Sequence, residues 1–472
     1  MTRVILAMSM CLMMGCGASR TLAQGDALMS HPDNPPQAAG GAALAKGDVA
    51  ADKWLGGGAM AGKVMAGGKG DTHIGLWIEV PQSEAADVTR PPMALSLVID
   101  ASGSMAGAKI RHARAAAARM VEALSDGDLV SLLIFDDRVT ELVAPVSVDA
   151  DSRHHILRAI SGIRHGGSTN LYGAMEAAQR AVDRAPATHP VRRVLVISDG
   201  IANVGPSSPG EFAHQARRGA ERDIQISAIG VGLGYDEHTL GALAMNSEGR
   251  MHHLEHPEQM AAILEQELEM LSRTVAAAAF VEITPADGVK LGELANGRAQ
   301  RVGRRMIVPL GTLVAGQGRE LLIGATVPTD AGGRHALADV RLVYEPYGAD
   351  ATRSEELTIE YAVSDDFHAV EASYDGRVEA MVASHEASEK QRRAAELLNR
   401  GQQQQATQML QEAEAQLAIA VEKAPAPQKK SLRKAQRRTV KRKHEAQRAH
   451  SPKAQRAAAL SSYDDAMDLK GY

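Results

Sequence analysis

Between residues 93 and 275, short apolar runs alternate with amphipathic stretches, and that alternation leaves few folds open. The runs at 94–100, 129–135, 191–198 and 224–232 are rich in Val, Ile and Leu. Continuous apolar runs of this length read as strands buried on both faces. The intervening stretches have helical spacing. Over Ala106–Leu124, residues Ile110, Ala113, Ala117, Val121 and Leu124 share one face. Further helices are predicted over Asp151–Ile163 with Asp151 as N-cap, over Leu171–Ala185, Ser208–Arg222 and Asp236–Asn246, and in a last one running through Val275. Val139–Val148 reads as an edge strand and Met251–Leu254 as a short strand. Strands alternating with helices imply an α/β domain with a doubly wound, mostly parallel sheet covered on both faces. Such sheets bind ligands at the carboxyl ends of their strands, where the winding reverses.

The residues at those strand ends carry the chemistry. The strand Ala94–Ile99 runs into Asp100-Ala101-Ser102-Gly103-Ser104. Thr169 sits in Gly167-Ser168-Thr169-Asn170, and Asp199 ends the strand Val191–Ser198. In an extended segment alternate side chains point the same way, so Asp100, Ser102 and Ser104 can face one ion. Hydroxyl and carboxylate oxygens suit a hard cation such as Mg²⁺, Mn²⁺ or Ca²⁺. Two aspartates balance a 2+ charge, and three neutral hydroxyls leave the ion electrophilic. The pattern Asp-x-Ser-x-Ser, a later loop Thr and a later strand-ending Asp, in that order, resembles the von Willebrand factor type A family and its metal-ion-dependent adhesion site. The resemblance implies that Ser102, Ser104 and Thr169 touch the metal directly while Asp100 and Asp199 act through water. It also implies a protein partner that supplies a carboxylate as the last ligand.

From Ala276 the pattern becomes strand after strand with no helix between. Phe280–Thr284, Arg305–Pro309, Glu320–Val327, Ala336–Glu345 and Leu357–Val363 alternate with period two, with turns at Asp287-Gly288 and Gly332-Gly333. This reads as an antiparallel β-sandwich over 276–365. The strand Thr72–Val80, within 71–92, completes it, so the α/β domain over 93–275 is inserted in the sandwich. That layout resembles bacterial secreted proteins with an inter-alpha-trypsin-inhibitor-like core. Residues 366–425 read as a helical hairpin, with Ala406, Met409, Leu410, Ala413, Leu417 and Val421 on one stripe. Beyond Pro425-Ala426-Pro427 follows a basic run from Lys429 to Lys443, in a tail over 426–472 that is helical or disordered. It reads either as a solvated face or as a contact for anionic lipid or polymer.

Cysteine occurs twice, at Cys11 and Cys16, so no disulfide or thiolate metal site is available to the folded part. Residues 1–16 combine Arg3 with the apolar stretch Val4–Met14, of signal-peptide length and too short to span a bilayer. The stretch ends Leu12-Met13-Met14-Gly15-Cys16, which resembles a bacterial lipobox with Met13 and Met14 at positions where Leu and Ala or Ser are usual. Lipidation of Cys16 is therefore expected, giving a membrane anchor. Cleavage near Ala23, giving a soluble exported protein, is the alternative. Residues 17–70, rich in Gly, Ala and Pro, read as a flexible tether.

The net charge of −5 predicts no particular partner, and nucleic acid is not expected as one for an exported chain whose basic run has no interleaved aromatic residues. His252, His253 and His256 cluster without the spacing of a zinc site. No Gly-x-Ser-x-Gly elbow or His-Glu-x-x-His motif is present. The sequence thus points to an exported, lipid-anchored bacterial envelope protein that binds rather than catalyses. The alternatives are an envelope scaffold with an unused metal site and a metal-dependent hydrolase.

Overall fold

The structure is a computed structural model and describes residues 53–82, 90–349 and 351–471. The signal segment, Cys11 and Cys16, and the tether up to residue 52 lie outside the described residues. In chain order, β1 (Leu55–Ala59), β2 (Lys63–Met65) and β3 (Asp71–Glu79) come first. The α/β domain follows. It comprises β4 (Met93–Asp100), α1 (Ala108–Ala123), β5 (Leu129–Phe135), β6 (Val139–Ser147), α2 (Ala150–Ser161) and α3 (Leu171–Asp183). It continues through β7 (Val191–Ser198), α4 (Pro209–Ala220), β8 (Ile224–Val231), α5 (Glu237–Met245), β9 (Met251–Leu254) and α6 (Met260–Ser272). Its sheet runs β6-β5-β4-β7-β8-β9, parallel except for the edge strand β6.

The period of two along each strand divides the core between the two faces of this sheet. From β4, Ala94 and Val98 join Leu171, Met175 and Phe212 on one face. Leu95, Leu97 and Ile99 join Ile110, Met120, Leu264 and Leu271 on the other. Winding reverses between β4 and β7, which are hydrogen-bonded neighbours. Their carboxyl ends are where Asp100 and Asp199 stand.

Two further sheets pack face to face around one apolar core. The first has the order β1-β3-β14-β11, with β11 (Lys290–Leu294) and β14 (Gly318–Thr326). The second has the order β12-β13-β10-β15-β16-β2, with β10 (Thr274–Pro285), β12 (Gln300–Val302), β13 (Arg305–Val314), β15 (Gly333–Pro346) and β16 (Arg353–Ser364). The chain is therefore an α/β domain inserted in a β-sandwich. Helices α7 (Phe367–Glu371), α8 (Gly376–Asn399), α9 (Gln403–Lys423), α10 (Ala426–Arg448) and α11 (Pro452–Lys470) complete it. Leu397, Leu410, Leu460 and Tyr463 from these helices share the core formed by α3, α4 and α5. Among the described residues no helix is long and apolar enough to cross a membrane.

Four expectations need correction. The stretch 55–65, read as tether, forms strands β1 and β2. Gly56 hid the first of them: a Cβ there would lie 2.0 Å from the indole nitrogen of Trp77, so glycine is what lets β1 pair beside that ring. The N-cap of α2 is Asp149, not Asp151; Asp149 and Ser152 form a reciprocal capping box, and Asp151 falls in the first turn. Helix α6 ends at Ser272 rather than passing Val275, because Thr274 and Ala276 already pair with β13. Strands β11 and β12 were not expected. The basic run is helical, and four of its nine Lys and Arg side chains form ion pairs. Arg438 and Arg442 meet Asp465 at 3.2 and 2.8 Å, and Lys443 meets Glu414.

Candidate metal centre

Backbone hydrogen bonds stitch three loops together at the carboxyl ends of β4 and β7. The loop after β4 is tied to its neighbours through Ala101 N–H to Phe135 O at 2.7 Å and Gly166 N–H to Ala101 O at 2.7 Å. Gly103 N–H donates to Gly167 O at 3.2 Å. Gly167 has φ +75°, and a Cβ there would sit 2.4 Å from Asp137 Oδ1, so only glycine allows this approach. Thr169 is held to the loop after β7, its N–H donating to Asn203 Oδ1 at 2.8 Å and its carbonyl accepting from Asn203 N–H at 3.1 Å.

All five predicted oxygen-bearing side chains stand in these loops. Asp100, Ser102, Thr169 and Asp199 are buried, and Ser104 is exposed, so the cluster opens to water at Ser104. Asp100 Oδ1 accepts from Ser102 N–H at 2.8 Å, and its Oδ2 accepts from Ser198 Oγ at 2.6 Å. The hydroxyls of Ser102 and Ser104 are 3.0 Å apart, and Ser104 Oγ donates to Asp199 Oδ1 at 2.7 Å. Burial pushes the Asp100 carboxyl above its ordinary range. The hydrogen bonds from Ser102 and Ser198 pull against that, and the nearby Asp199 charge adds to it. A Cβ on Gly200 would fall 3.1 Å from Thr169 Oγ1 and 3.5 Å from Asp100 Oδ2. Glycine therefore keeps open a small space between those two oxygens.

That space and the donor set fit a hard divalent ion. Every candidate ligand is oxygen, two are carboxylates and three are hydroxyls. Among the described residues no group of three His, Cys, Asp or Glu side chains is arranged to hold a metal. The oxygen cluster departs from that type by using hydroxyls. Of the clustered histidines His252, His253 and His256, the first two have separate partners: His252 Nε2 meets Glu267 at 2.9 Å and His253 Nδ1 meets Tyr235 Oη at 3.0 Å. A cavity of about 450 Å³ lies elsewhere, lined by Glu248, Arg250, Arg319 and His385 among others.

Two members of the cluster were not anticipated. Ser198 is the donor to Asp100, and Lys109 forms an ion pair with Asp199. Ser198 is adjacent to Asp199, but its contact depends on β4 and β7 being neighbours. Lys109 could have been noticed as a cation in the first turn of a helix. Beside the cluster, Ile201 is 60% exposed, a large apolar side chain at the rim.

Residues 95–266 match the von Willebrand factor type A domain family. An uncharacterized protein of Synechocystis is 23% identical over 271 residues, covering 54% of this chain and 62% of its own length. Human inter-alpha-trypsin inhibitor heavy chain H4 is 24% identical over 253 residues, covering 52% of this chain and 27% of its own. The chain thus spans less than two thirds of either relative. Among solved structures, a von Willebrand factor type A protein from Catenulispora acidiphila superposes with a TM-score of 0.67 at 18% identity, over 82% of this chain and 91% of that one. The ArnB paralog VWA2 from Sulfolobus acidocaldarius superposes with a TM-score of 0.59 at 16% identity, over 88% and 97%. At such identities the likeness is one of fold.

Proposed function

Because residues 95–266 are a von Willebrand factor type A domain, we propose that the domain holds a divalent cation and, through it, an acidic group of a protein partner. The observation that carries this reading is the gathering of Asp100, Ser102, Ser104, Thr169 and Asp199 at the carboxyl ends of two adjacent strands. Ser102, Ser104 and Thr169 would hold the ion directly, and Asp100 and Asp199 would do so through water. The ion supplies an electrophilic site for a carboxylate. The chain's own part is to fix five oxygens and to leave the Ser104 side open to the partner. Exposed Ile201 adds an apolar contact beside the acidic one. The role is binding and adhesion, with no reaction performed.

Calorimetric titration of the full chain with Mg²⁺, Mn²⁺ and Ca²⁺ tests the site. About one ion should bind, and Asp100→Ala or Thr169→Ala should abolish binding while circular dichroism stays native. Unchanged binding in both variants would reject the assignment. Capture of partners from envelope extract with EDTA, and again after Mg²⁺ is restored, tests recognition. Capture that ignores the chelator would move it to the sandwich or the helices.

We propose further that the protein is exported and anchored at the bacterial envelope by a lipid on Cys16. The support is the short apolar stretch ending in Gly15-Cys16. Each buried CH₂ of an acyl chain contributes about 0.8 kcal/mol to membrane affinity, so the anchor is readily seen by fractionation. Cys16→Ser should shift the protein from the membrane to the soluble envelope fraction. Retention in the membrane, or an intact mass without acyl chains, argues against it.

A further inference from the structure

Lys109 is the second residue of α1, a helix whose first turn carries no acidic side chain and whose N-cap, Gly107, offers no side-chain acceptor. A cation there faces the positive end of the helix dipole, so the helix gains nothing from it. The ammonium is turned instead to the oxygen cluster. It pairs with Asp199 Oδ2 and lies 3.4 Å from the Ser104 carbonyl. The Asp199 side chain is fully buried, whereas that of Lys109 is 29% exposed. Its stem lies against bare backbone, since a Cβ on Gly232 would come within 3.5 Å of Lys109 Cε. The pair thus links a buried carboxylate of the proposed metal site to a cation with a path to water.

We infer that Lys109 is a resident competitor for the divalent ion. Its ammonium neutralises Asp199 when the metal is absent and swings out to solvent when the metal binds, so it sets the concentration at which the site loads. The inference rests on the metal-binding reading above. Two cations drawn to the same carboxylate repel each other, and the repulsion is strong in a partly dry site. Without a counter-charge, however, buried Asp100 and Asp199 would repel each other. Lys109 relieves that repulsion in the empty site and opposes the ion in the filled one.

The test is Mg²⁺ titration, by calorimetry, of the full chain as wild type, K109A, K109Q and K109R. The neutral variants should bind Mg²⁺ about tenfold or more tightly than wild type, and K109R within about twofold of it. In EDTA the melting temperature of K109A should fall, because Asp199 is left buried and unpaired, and Mg²⁺ should raise it by more than it raises wild type. If K109A does not fold, K109Q keeps the shape of the stem and carries the comparison. Equal affinity in wild type and both neutral variants overturns the inference and leaves the metal site standing. Weaker affinity in the neutral variants also overturns it, and makes Lys109 a positioning group for Asp199. No binding by any of these proteins, with Thr169→Ala indistinguishable from them, overturns the metal site itself and the inference with it. Binding by the neutral variants alone supports the inference in its strongest form.

Discussion

Glu267 on α6 is 1% exposed and fastens that helix to the sheet, accepting from Ser227 Oγ at 2.8 Å and meeting His252 Nε2 at 2.9 Å. Burial alone would raise its pKa. The His252 contact and charge, the Arg193 charge and the Ser227 hydrogen bond outweigh that and hold it at about 2. A carboxyl depressed on folding contributes stability that is complete above its unfolded value of 4.5 and is lost as pH falls toward 2. Glu267→Gln should therefore cost about 3 kcal/mol at pH 7. The gap between wild type and variant should close between pH 4.5 and 2, as read by denaturant unfolding across a pH series. A gap that stays constant with pH would mean that shape rather than charge is lost. At this scale, the oxygen cluster was legible from the pattern Asp100, Ser102, Ser104 followed by a later loop Thr and strand-ending Asp, although Gly103–Met105 turns as a short 3₁₀ helix rather than the extended segment expected. The roles of Glu267, Ser198 and Lys109 were not, since each contact joins elements whose adjacency is fixed only by strand order or helix packing.

Strand β1 owes its place to an absence of side chain. Gly56 faces the Trp77 ring, whose other neighbours include the Arg377 guanidinium, 4.2 Å from the ring centroid. Gly56→Val should break the pairing of β1 with β3 and destabilise the chain by about 2–4 kcal/mol, in the range of overpacked or strained core sites. Thermal unfolding and faster proteolysis between Lys53 and Ala66 would show it; native melting and protection would refute it. The α/β elements were legible because their apolar runs and helical stripes repeat over nearly two hundred residues. Strand β1 was hidden because three consecutive glycines carry no hydrophobic pattern to read, and β12 because three residues are too few for a period. The basic run was left open between helix and disorder, because its acidic partners Glu414 and Asp465 belong to other helices.

At the scale of the whole molecule, the C-terminal helices complete the core of the α/β domain. Arg456 on α11 donates from both terminal nitrogens to buried Glu237 on α5, at 2.7 Å each, and also reaches the Tyr235 carbonyl. Arg456→Ala should cost about 3–5 kcal/mol, since it leaves Glu237 buried without its partner. Removing residues 366–472 should uncover the face of α5 around Gly241, against which Tyr463 packs, bind a hydrophobic dye and abolish cooperative melting. A truncated chain that melts as cooperatively as the whole would show the helices to be an independent attachment. The hairpin of α8 and α9 was legible, whereas α10 and α11 were left between helix and disorder, and the seat of none was seen, because an amphipathic stripe shows that a face is covered without showing by what. The insertion of the α/β domain has one more consequence. Val80, where the chain leaves the sandwich, accepts from Gly316 N–H at 2.9 Å, and Arg273, where it returns, accepts from Ala315 N–H at 2.9 Å. Departure and return thus meet at a single turn of the host. In evolutionary terms the domain is a cassette: recombination could exchange it without rethreading the sandwich, and the surface that must be inherited with it is the one matched to the C-terminal helices.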